Sequence, residues 1–485
     1  MPGHKRKTGG EALSIVRKRD ITEIRGYDDL HHPTGIIRQS MDQMKEIYGS
    51  LESWYLVNGS TLGILVSIAS VCEEGDKILI ARNCHQSVYH AIRLLRLRAV
   101  YVYLEISEEN EIFLSVDPSK VKRIIDKDPE IKAVVITSPT YEGVVSDIRT
   151  IKDTVGNIPL IVDEAHGAHL IFSEYFPKSA VECGADLVVQ SCHKTLPCLT
   201  QTAVLHLCSP CVPISRINDM LDVFETSSPS YILLSSAEYG IQYMQENVDI
   251  VEKYVDNLKL FRRNCEDLRN IQLFYPQNTH CYTYDCGKLV FSIKEELLNR
   301  YPAHSCDECC TEEKPLNGNW LFEMLLNQYG IEMEMESLSY VVGMTSVMDD
   351  VHDFDVLLEA LKEIDTIIDN LVKSGLSVDM CKVSENRCYS PKKVYNNEHG
   401  TNAFIMESWE ALSRNRQKEA LVIDEAEGRV AAAYVMIYPP GIPFLVPGEK
   451  IRKETVENIR YYLYNGYNVK GLDHGRLEVL CEDDL

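Results

Sequence analysis

One lysine and one aspartate stand at the ends of two apolar segments in this 485-residue chain. Lys194 lies in the sequence Ser-Cys-His-Lys-Thr at 191–195, directly after the mostly apolar run 185–189, and Asp163 follows the apolar run 158–162. At neighbouring strand ends, such a lysine can form an imine with a pyridoxal aldehyde. The aspartate can keep the pyridine nitrogen protonated, so that the ring withdraws electrons from the reacting bond. The pair predicts a pyridoxal-phosphate enzyme.

A candidate phosphate site precedes an apolar helix at Asn58-Gly59-Ser60-Thr61. Ser60 is a suitable N-cap, and the exposed N–H groups of a helix start, together with two hydroxyls, can hold a phosphate. The alternative is an ordinary helix cap. His85 lies between a predicted strand and a predicted helix and could stack on a pyridine ring, although a capping or core histidine is the commoner role in isolation.

The segment Asp163-Glu164-Ala165-His166 also matches the Mg–ATP motif of one helicase class. That function requires a phosphate loop of the form G-x-x-x-x-G-K-[ST], which the sequence lacks. A pyridinium partner is therefore the better interpretation of Asp163, with small Ala165 leaving room for a ring over the strand. His166 and His169 could suggest a metal, but no third ligand is evident. We predict no metal site and a structural role for His169.

The cysteine-rich segment 304–310 contains one C-x-x-C pair. A structural zinc site needs four ligands, and the spacing to Cys281 and Cys286 matches no zinc pattern. We interpret the segment as a reduced surface loop.

A proline-set loop lies near the C-terminal end, with the sequences Tyr-Pro-Pro-Gly-Ile-Pro at 438–443 and Val-Pro-Gly-Glu at 446–449. A loop this stiff usually holds a side chain in place, and Glu449 is the obvious candidate. A fixed carboxylate can pair with the ammonium or guanidinium group of a substrate. The alternative is a surface turn with a solvated glutamate.

Composition limits the classes of function. The formal net charge is −24 and the isoelectric point is near 5.0, which argues against nucleic acid or an anionic membrane as a partner. The 16 cysteines, without a secretory signal, favour the reduced cytoplasm over a disulfide scaffold. No run of about 18 apolar residues is present, so we expect no transmembrane helix.

Short apolar strands alternate with amphipathic helices from Val57 onward, which predicts an α/β fold with a mostly parallel sheet and helices on both faces. Ligands of such sheets lie beyond the carboxyl ends of the strands, where the polar clusters of this sequence fall. The predicted strands are 77–81, 99–106, 131–137, 159–162, 187–190 and 202–207, and the predicted helices are 61–71, 86–97, 118–126, 147–155 and 232–245.

The pattern of apolar and polar residues changes along the chain and predicts four parts. They are an N-terminal arm over 1–50, a large domain over 51–276, a small α+β domain over 277–380, and a C-terminal domain over 381–485 that begins with a polar linker. The predicted elements of the last two parts are strands at 282–285, 289–293, 331–335 and 431–437, and helices at 351–371 and 408–414.

Taken together, these motifs resemble the Orn/Lys/Arg decarboxylases, which are fold-type-I pyridoxal-phosphate enzymes that act on basic amino acids. The matching segments occur in family order over nearly the whole chain, and Ser-x-His-Lys together with the proline-set loop is a specific combination. They are 2–5, 58–61, 85, 138–143, 163–169, 191–194, 226–231 and 438–449. The resemblance implies a mostly parallel seven-stranded sheet, a small α+β lobe and a C-terminal domain of the family type, with pyridoxal 5'-phosphate as the cofactor.

The resemblance also implies roles for individual residues. Lys194 would hold the cofactor, Asp163 would pair with the pyridinium nitrogen, and Glu449 would bind the distal cation of the substrate. His85 would stack on the cofactor ring and Thr140 would contact the substrate. The residues on the phosphate side would be Ser60, Thr61, Ser191 and His193, and those that reach the site of a partner subunit would be Ser228 and Ser230.

The resemblance implies that the chain would decarboxylate arginine, lysine or ornithine in the cytoplasm to give agmatine or a diamine, which would feed polyamine metabolism. Lys194 or His193 would supply the proton that replaces the carboxylate. The chain resembles the short form of the family, which starts near the Pro-Gly-His-Lys motif at 2–5 without a receiver-like domain, so we expect a homodimer or tetramer.

Two alternatives remain open. An aminotransferase, or another amino-acid lyase of the same fold, would share the lysine and the aspartate. An aminotransferase typically holds the α-carboxylate with an arginine of the second lobe, and no arginine there stands in a recognisable motif. A non-catalytic homologue is the other alternative, and the presence of both Lys194 and Asp163 argues against it.

Overall fold

The computed structural model describes residues 14–107, 111–276, 281–298, 300–302, 315–377, 404–438, 440–464 and 466–482. The motif at 2–5, the cysteine-rich segment 304–310, the whole predicted linker 381–399 and Pro439 lie outside these residues. The chain forms two compact units. The first comprises Met1–Val102, Val116–Thr140 and Val145–Glu252, and the second comprises Tyr103–Ser115, Tyr141–Val144 and Lys253–Leu485. The finer division into four parts stays a prediction.

A seven-stranded sheet forms the centre of the first unit. Its strands in chain order are β1 (Glu52–Leu56), β2 (Lys77–Ala81), β3 (Arg98–Val102), β4 (Ile131–Thr137), β5 (Leu160–Asp163), β6 (Leu187–Ser191) and β7 (Ala203–Leu207). Their spatial order is β1-β7-β6-β5-β4-β2-β3. β7 pairs antiparallel with both β1 and β6, and the other pairings are parallel. The predicted mostly parallel seven-stranded sheet is confirmed.

The register of the sheet brings three strand ends together. Thr137 of β4 pairs with Asp163 of β5, and Asp163 pairs in turn with Val189 of β6. Because these strands are parallel, the loops that follow them emerge at one edge of the sheet. That edge is where the sequence analysis placed the ligand.

Two helices of the first unit begin at aspartates that cap them. Asp117 and Asp147 cap their helices by accepting the backbone N–H groups of Ser119 and Thr150, at 2.8 and 3.0 Å. The helices are Ser14–Arg19, Ile36–Tyr48, Gly59–Val71, Gln86–Leu95, Pro118–Lys127, Ile148–Val155, Ala180–Cys183, Cys192–Thr195, Ile214–Phe224 and Tyr231–Glu246, and Val248–Asn264 runs on into the second unit.

The apolar helix Gly59–Val71 packs directly on the central strands. A Cβ added at Gly63 would lie 2.6 Å from Cγ1 of Val189 in β6 and 2.8 Å from Cδ1 of Leu56 in β1. Real Cβ atoms do not approach other atoms this closely, so the helix and sheet make contact here through a residue that has no side chain.

The second unit contains a four-stranded antiparallel sheet and a separate C-terminal core. The four strands are Ile271–Leu273, Lys288–Ile293, Met335–Glu336 and Val341–Met344, and the helices beside them are Gly318–Tyr329 and Val351–Ser374. The C-terminal part has the helices Ser408–Ala411 and Lys453–Tyr464 and the strands Lys418–Val422, Val435–Ile437, Ile442–Leu445, Val469–Lys470, Leu472–Asp473 and Arg476–Leu480.

Some predicted elements were wrong in their bounds. β1 was missed, because Glu52 and Ser53 interrupt its apolar pattern, yet all five of its residues are buried. The predicted strand 99–106 ends at Val102, and the strand expected over 331–335 occupies only Met335–Glu336. The proline-set loop is partly a hairpin, because Val435–Ile437 pairs antiparallel with Ile442–Leu445. None of the described helices is long and apolar enough to cross a membrane.

Candidate active site

β5 and β6 carry the two residues on which the chemistry depends. Asp163 is the last residue of β5, and Lys194 lies in the single-turn helix Cys192–Thr195 that follows β6 directly. The two strands pair in parallel, so both residues lie at the same edge of the sheet. The structure therefore brings together the lysine and the aspartate that the sequence predicted to act as a pair.

Asp163 is buried, with 4% of its surface exposed. Burial raises the pKa of its carboxyl, while the positive charge of Lys194 and the backbone N–H of Ala165, which donates at 3.2 Å, act in the opposite direction. An acid in this position gains from a nearby cation, since the cation favours the ionised form that burial disfavours. A protonated pyridine nitrogen is such a cation.

Lys194 contacts a histidine that the sequence analysis left without a role. Nζ of Lys194 lies 3.0 Å from Nε2 of His166, within hydrogen-bonding distance, and His166 is 4% exposed. His166 follows the end of β5 by three residues, in a turn closed by the bond from the N–H of Gly167 to the carbonyl of Glu164. The place of His166 in the sequence, just after β5, could have suggested that it lies near Lys194, but not which atom it contacts.

The candidate phosphate site lies at the start of the helix Gly59–Val71. Ser60 was predicted to cap this helix, but the helix begins one residue earlier, so Ser60 lies inside the first turn. Asn58 occupies the N-cap position and makes no capping bond with its side chain. The hydroxyl of Ser191 donates to that of Ser60 at 2.9 Å, so the two predicted serines are adjacent. Thr61 is exposed in the same turn.

His85 both caps a helix and lies in the field of Lys194. Its Nδ1 accepts the backbone N–H of Ser87 at 3.2 Å and lies 2.9 Å from the Ser87 hydroxyl. Burial, together with the positive charges of Lys194 and His90, lowers the pKa of the imidazole to about 4. The capping bond fixes the ring, which is neutral at pH 7. Stacking on a cofactor ring stays a prediction.

The remaining predicted residues of the first unit differ in their surroundings. Nδ1 of His193 lies 3.0 Å from the carbonyl oxygen of Thr202. Thr140 is buried, with 3% of its surface exposed. Ser230 caps the helix Tyr231–Glu246 by accepting the N–H of Leu233 at 3.4 Å, and Ser228 is exposed.

Glu449 lies in the second unit, whereas Lys194 and Asp163 belong to the first. The predicted alternative of a solvated carboxylate is wrong, because Glu449 is only 2% exposed. One carboxylate oxygen accepts the backbone N–H of Val446 at 2.9 Å. The side chain is thus held by its own turn.

In the described part of the chain, no three His, Cys, Asp or Glu side chains are grouped as metal ligands. The ring of His169 packs edge-on against that of Phe176, with 4.7 Å between the ring centroids.

The residues present fit pyridoxal phosphate. Lys194 offers an amine, Asp163 is a buried acid that favours a cationic partner, and Ala165 adds little bulk beside it. The helix start at Gly59 has no side-chain cap, and such N–H groups bind anions. These are the groups that an aldehyde, a pyridine nitrogen and a phosphate require.

The fold and the site define the class of the chain as fold-type-I pyridoxal-phosphate enzymes. Within this class the chain belongs to the Orn/Lys/Arg decarboxylase family, as the sequence resemblance predicted. The major-domain profile of that family matches residues 9–297, and the C-terminal-domain profile matches residues 391–467. The chain is thus a decarboxylase of a family that acts on basic amino acids.

Curated relatives match almost the whole chain. It is 32% identical over 459 residues to the uncharacterized protein YaaO of Bacillus subtilis, covering 93% of this chain and 87% of that protein. It is 30% identical over 499 residues to an arginine decarboxylase of the same organism, covering 99% and 93% respectively.

Solved structures share the fold. The lysine decarboxylase LdcF of Francisella novicida superposes with a TM-score of 0.79 at 17% identity, covering 99% of this chain and 78% of that chain. The constitutive lysine decarboxylase of Escherichia coli gives a TM-score of 0.77 at 18% identity, covering 99% and 79%.

Proposed function

We propose that this enzyme uses pyridoxal 5'-phosphate to decarboxylate arginine, lysine or ornithine, which yields agmatine or a diamine and supplies polyamine synthesis. The observation that carries the proposal is the placement of Lys194 and Asp163 at adjacent strand ends, with the helix Gly59–Val71 and its serines beside them. Relatives named arginine decarboxylase and lysine decarboxylase support the substrate class.

When bound, pyridoxal phosphate supplies an electron-withdrawing ring that stabilises the charge left on Cα as CO₂ departs. Asp163 would hold the proton on the ring nitrogen, since its buried carboxylate gains from a positive charge. Ser60, Ser191 and the first-turn N–H groups of the helix would bind the phosphate. His85, which is fixed by Ser87, would contact the cofactor ring.

Lys194 is the first candidate donor of the proton that replaces the carboxylate. Its Nζ is the group that returns a proton to Cα, and His166 holds this amine in place at 3.0 Å. His193 is the second candidate donor. Its Nδ1 lies 3.0 Å from the carbonyl oxygen of Thr202, so a proton transferred by His193 would pass through Nε2.

We assign Glu449 to the distal cation and Thr140 to the substrate, as the family resemblance implies. The burial of Glu449 supports an ordered carboxylate, because a buried acid favours a cationic partner. The same burial also suits a purely structural role in the turn.

The proposal includes a cytoplasmic homodimer in which Ser228 and Ser230 reach the site of the neighbouring subunit. The described cysteines are free thiols, which suits a reduced compartment. The exposure of Ser228 leaves it available for a neighbour.

The test is a substrate panel. The purified enzyme with added cofactor is incubated with arginine, lysine and ornithine, and both CO₂ and oxo acid are measured. Release of CO₂ with stoichiometric amine supports the proposal. Oxo acid without CO₂ would establish an aminotransferase instead. The Lys194→Ala variant is the control for background turnover.

A further inference from the structure

Glu164 is a buried acid that the proposed chemistry does not use. It follows Asp163 directly, and only 2% of its surface is exposed. Its carboxylate is bonded to β6 and to the start of the helix Ala180–Cys183, both in the first unit. We propose that Glu164 is a positioning residue, which sets the placement of Asp163 relative to Lys194 by joining these elements to the end of β5. The inference rests on the proposed function, because that function assigns the roles of Asp163 and Lys194.

The carboxylate of Glu164 accepts hydrogen bonds from two separate elements. Its Oε1 accepts the backbone N–H of Ala180 at 2.7 Å, and its Oε2 accepts the hydroxyl of Ser179 at 2.6 Å. The side-chain amide of Gln190 in β6 donates to the same Oε2 at 2.6 Å. Hydrogen bonds to a carboxylate are short and strong, so both oxygens are held in place by the start of the helix and by β6.

The backbone of Glu164 is bonded to the same strand. Its N–H donates to the carbonyl of Val189 in β6 at 2.9 Å, and its carbonyl accepts the N–H of Gly167 at 2.9 Å. The second bond closes the turn that carries His166, whose Nε2 lies 3.0 Å from Nζ of Lys194. One residue thus links the end of β5, the turn that follows it, and the strand that leads to Lys194.

The turn after β5 packs against the side chain of Glu164. A Cβ added at Gly167 would lie 2.5 Å from Cγ of Glu164 and 3.0 Å from its Cδ. Atoms in a close-packed interior do not approach this closely, so the turn contacts the acid through a residue that has no side chain. A shift of the turn would therefore disturb the bonds that the carboxylate makes.

Gln190 is oriented in turn by hydrogen bonds across the sheet. Its Oε1 lies 3.3 Å from Nε2 of His206 in β7, and Nδ1 of His206 lies 2.7 Å from the hydroxyl of Ser53 in β1. Burial lowers the pKa of His206 to about 3, so the ring is neutral at pH 7. A neutral ring can donate from Nε2 to Gln190 and accept from Ser53 at Nδ1. Gln190 then presents its amide nitrogen to Glu164.

Stability does not explain the charge of Glu164. Burial raises the pKa of its carboxyl to about 7, although the bonds from Ser179, Ala180 and Gln190 act in the opposite direction. The ionised acid is therefore less favourable in the folded chain than in water. A buried acid that lowers stability, yet is bonded to the elements that carry a reactive pair, is typical of a residue that supports a functional site.

The test is a cycle of three variants at pH 8, which lies above the pKa of Glu164. Glu164→Gln removes the charge and offers a donor where the parent offers an acceptor. Gln190→Glu places a second acid against the first, and two adjacent buried carboxylates repel each other. The double variant Glu164→Gln/Gln190→Glu exchanges the two groups and so restores one acid and one amide.

Each variant is loaded with pyridoxal phosphate, and kcat is expressed per bound cofactor. Since a small misplacement of reacting groups is costly, both single variants should lose roughly 10- to 100-fold in kcat, with a smaller change in KM. The double variant should recover most of the kcat that Gln190→Glu loses. Glu182→Gln changes an exposed acid of the helix Ala180–Cys183. It is the matched control and should behave as the parent does.

Two further measurements separate positioning from stability. The absorbance of the bound cofactor is followed with pH, and its midpoint should shift in both single variants and return in the double variant. Urea unfolding of each holoenzyme gives its stability. A role in positioning changes kcat and the absorbance midpoint, whereas a role in stability alone changes only the urea midpoint.

The proposal is overturned if the single variants match the parent in kcat per bound cofactor and in absorbance, or if the double variant does no better than Gln190→Glu. Should Gln190→Glu fail to fold, Glu164→Gln and the double variant still decide the matter. Borohydride labelling of Lys194 and CO₂ release by the parent test the proposed function separately, so that its failure is not mistaken for failure of the positioning role.

Discussion

Nζ of Lys194 lies 3.0 Å from Nε2 of His166. One of the two nitrogens donates and the other accepts, so a proton lies between them. An amine must be unprotonated to attack an aldehyde, and a neighbouring imidazole can take up the proton that it loses. The contact thus couples the protonation of the lysine to a residue that the sequence pattern did not single out.

Lys194→Ala should abolish covalent attachment of the cofactor. Borohydride reduction of the parent followed by peptide mapping should mark the peptide 191–195, and the variant should give no marked peptide. A label on any other lysine of the parent would contradict the assignment of Lys194.

Asp163→Asn should keep the fold and much of the cofactor while losing most activity. Neutral asparagine cannot hold the proton on the ring nitrogen, and the loss of one charge-assisted hydrogen bond of about 2–3 kcal/mol corresponds to about 30- to 150-fold in rate. Circular dichroism and cofactor content serve as controls for folding. Turnover close to that of the parent would rule out the electron-withdrawing role.

His166→Gln should slow attachment of the cofactor to Lys194 by about tenfold, since one hydrogen bond of roughly 1.4 kcal/mol is lost at the amine. The rate is followed by absorbance after pyridoxal phosphate is added to the cofactor-free enzyme. His169→Gln changes another buried imidazole of the same segment and is the matched control. Equal rates in the two variants would assign His166 to structure alone.

Stability should depend on pH through two buried histidines. Burial lowers the pKa of His206 to about 3 and that of His85 to about 4, whereas both titrate near 6.5 in the unfolded chain. The unfolded chain therefore binds more protons below pH 6.5, so each histidine lowers the free energy of unfolding as the pH falls, by about 2 kcal/mol between pH 6.5 and 5.

Glu164 acts in the opposite direction, since burial raises its pKa to about 7. The folded chain then binds the extra proton between about pH 7 and the usual value of the acid, which favours folding as the pH falls. Urea unfolding of the parent and of His206→Gln at pH 7 and 5 isolates the histidine, because Glu164 contributes equally to both. A slope with pH that is unchanged in the variant would show that His206 does not remain neutral.

Glu449→Gln should raise KM for basic amino acids, with kcat falling less or comparably, because the distal cation lies several bonds from the reacting carbon. Deleting one partner of a buried charge pair costs a few kcal/mol. Activity on norleucine should not change, and Glu427→Gln, an exposed acid, is the control. Unchanged kinetics with arginine, lysine and ornithine would leave Glu449 as a turn residue.

The positions of Asp163 and Lys194 were predictable because β5 and β6 each begin with at least three consecutive apolar residues, as expected of strands buried on both faces. β1 was not, because burial of Glu52 and Ser53 depends on partners distant in sequence: Glu52 pairs with Arg38, and Ser53 bonds His206. The chain enters this helix through Gly59, whose φ of 77° lies in the left-handed region that glycine tolerates. Likewise, the contact of His166 with Lys194 depends on the turn that joins β5 to the next helix.

The close contact at Gly63 fixes the distance between the start of the helix at Gly59 and Lys194. The helix that begins at Gly59 rests on Val189, and the same strand continues two residues later into Ser191 and then to Lys194. The candidate phosphate site and the amine of Lys194 are therefore held at a fixed separation. A molecule can contact both groups at once only if its phosphate and its aldehyde have that separation. Pyridoxal, which has no phosphate, would contact Lys194 alone and should dissociate readily.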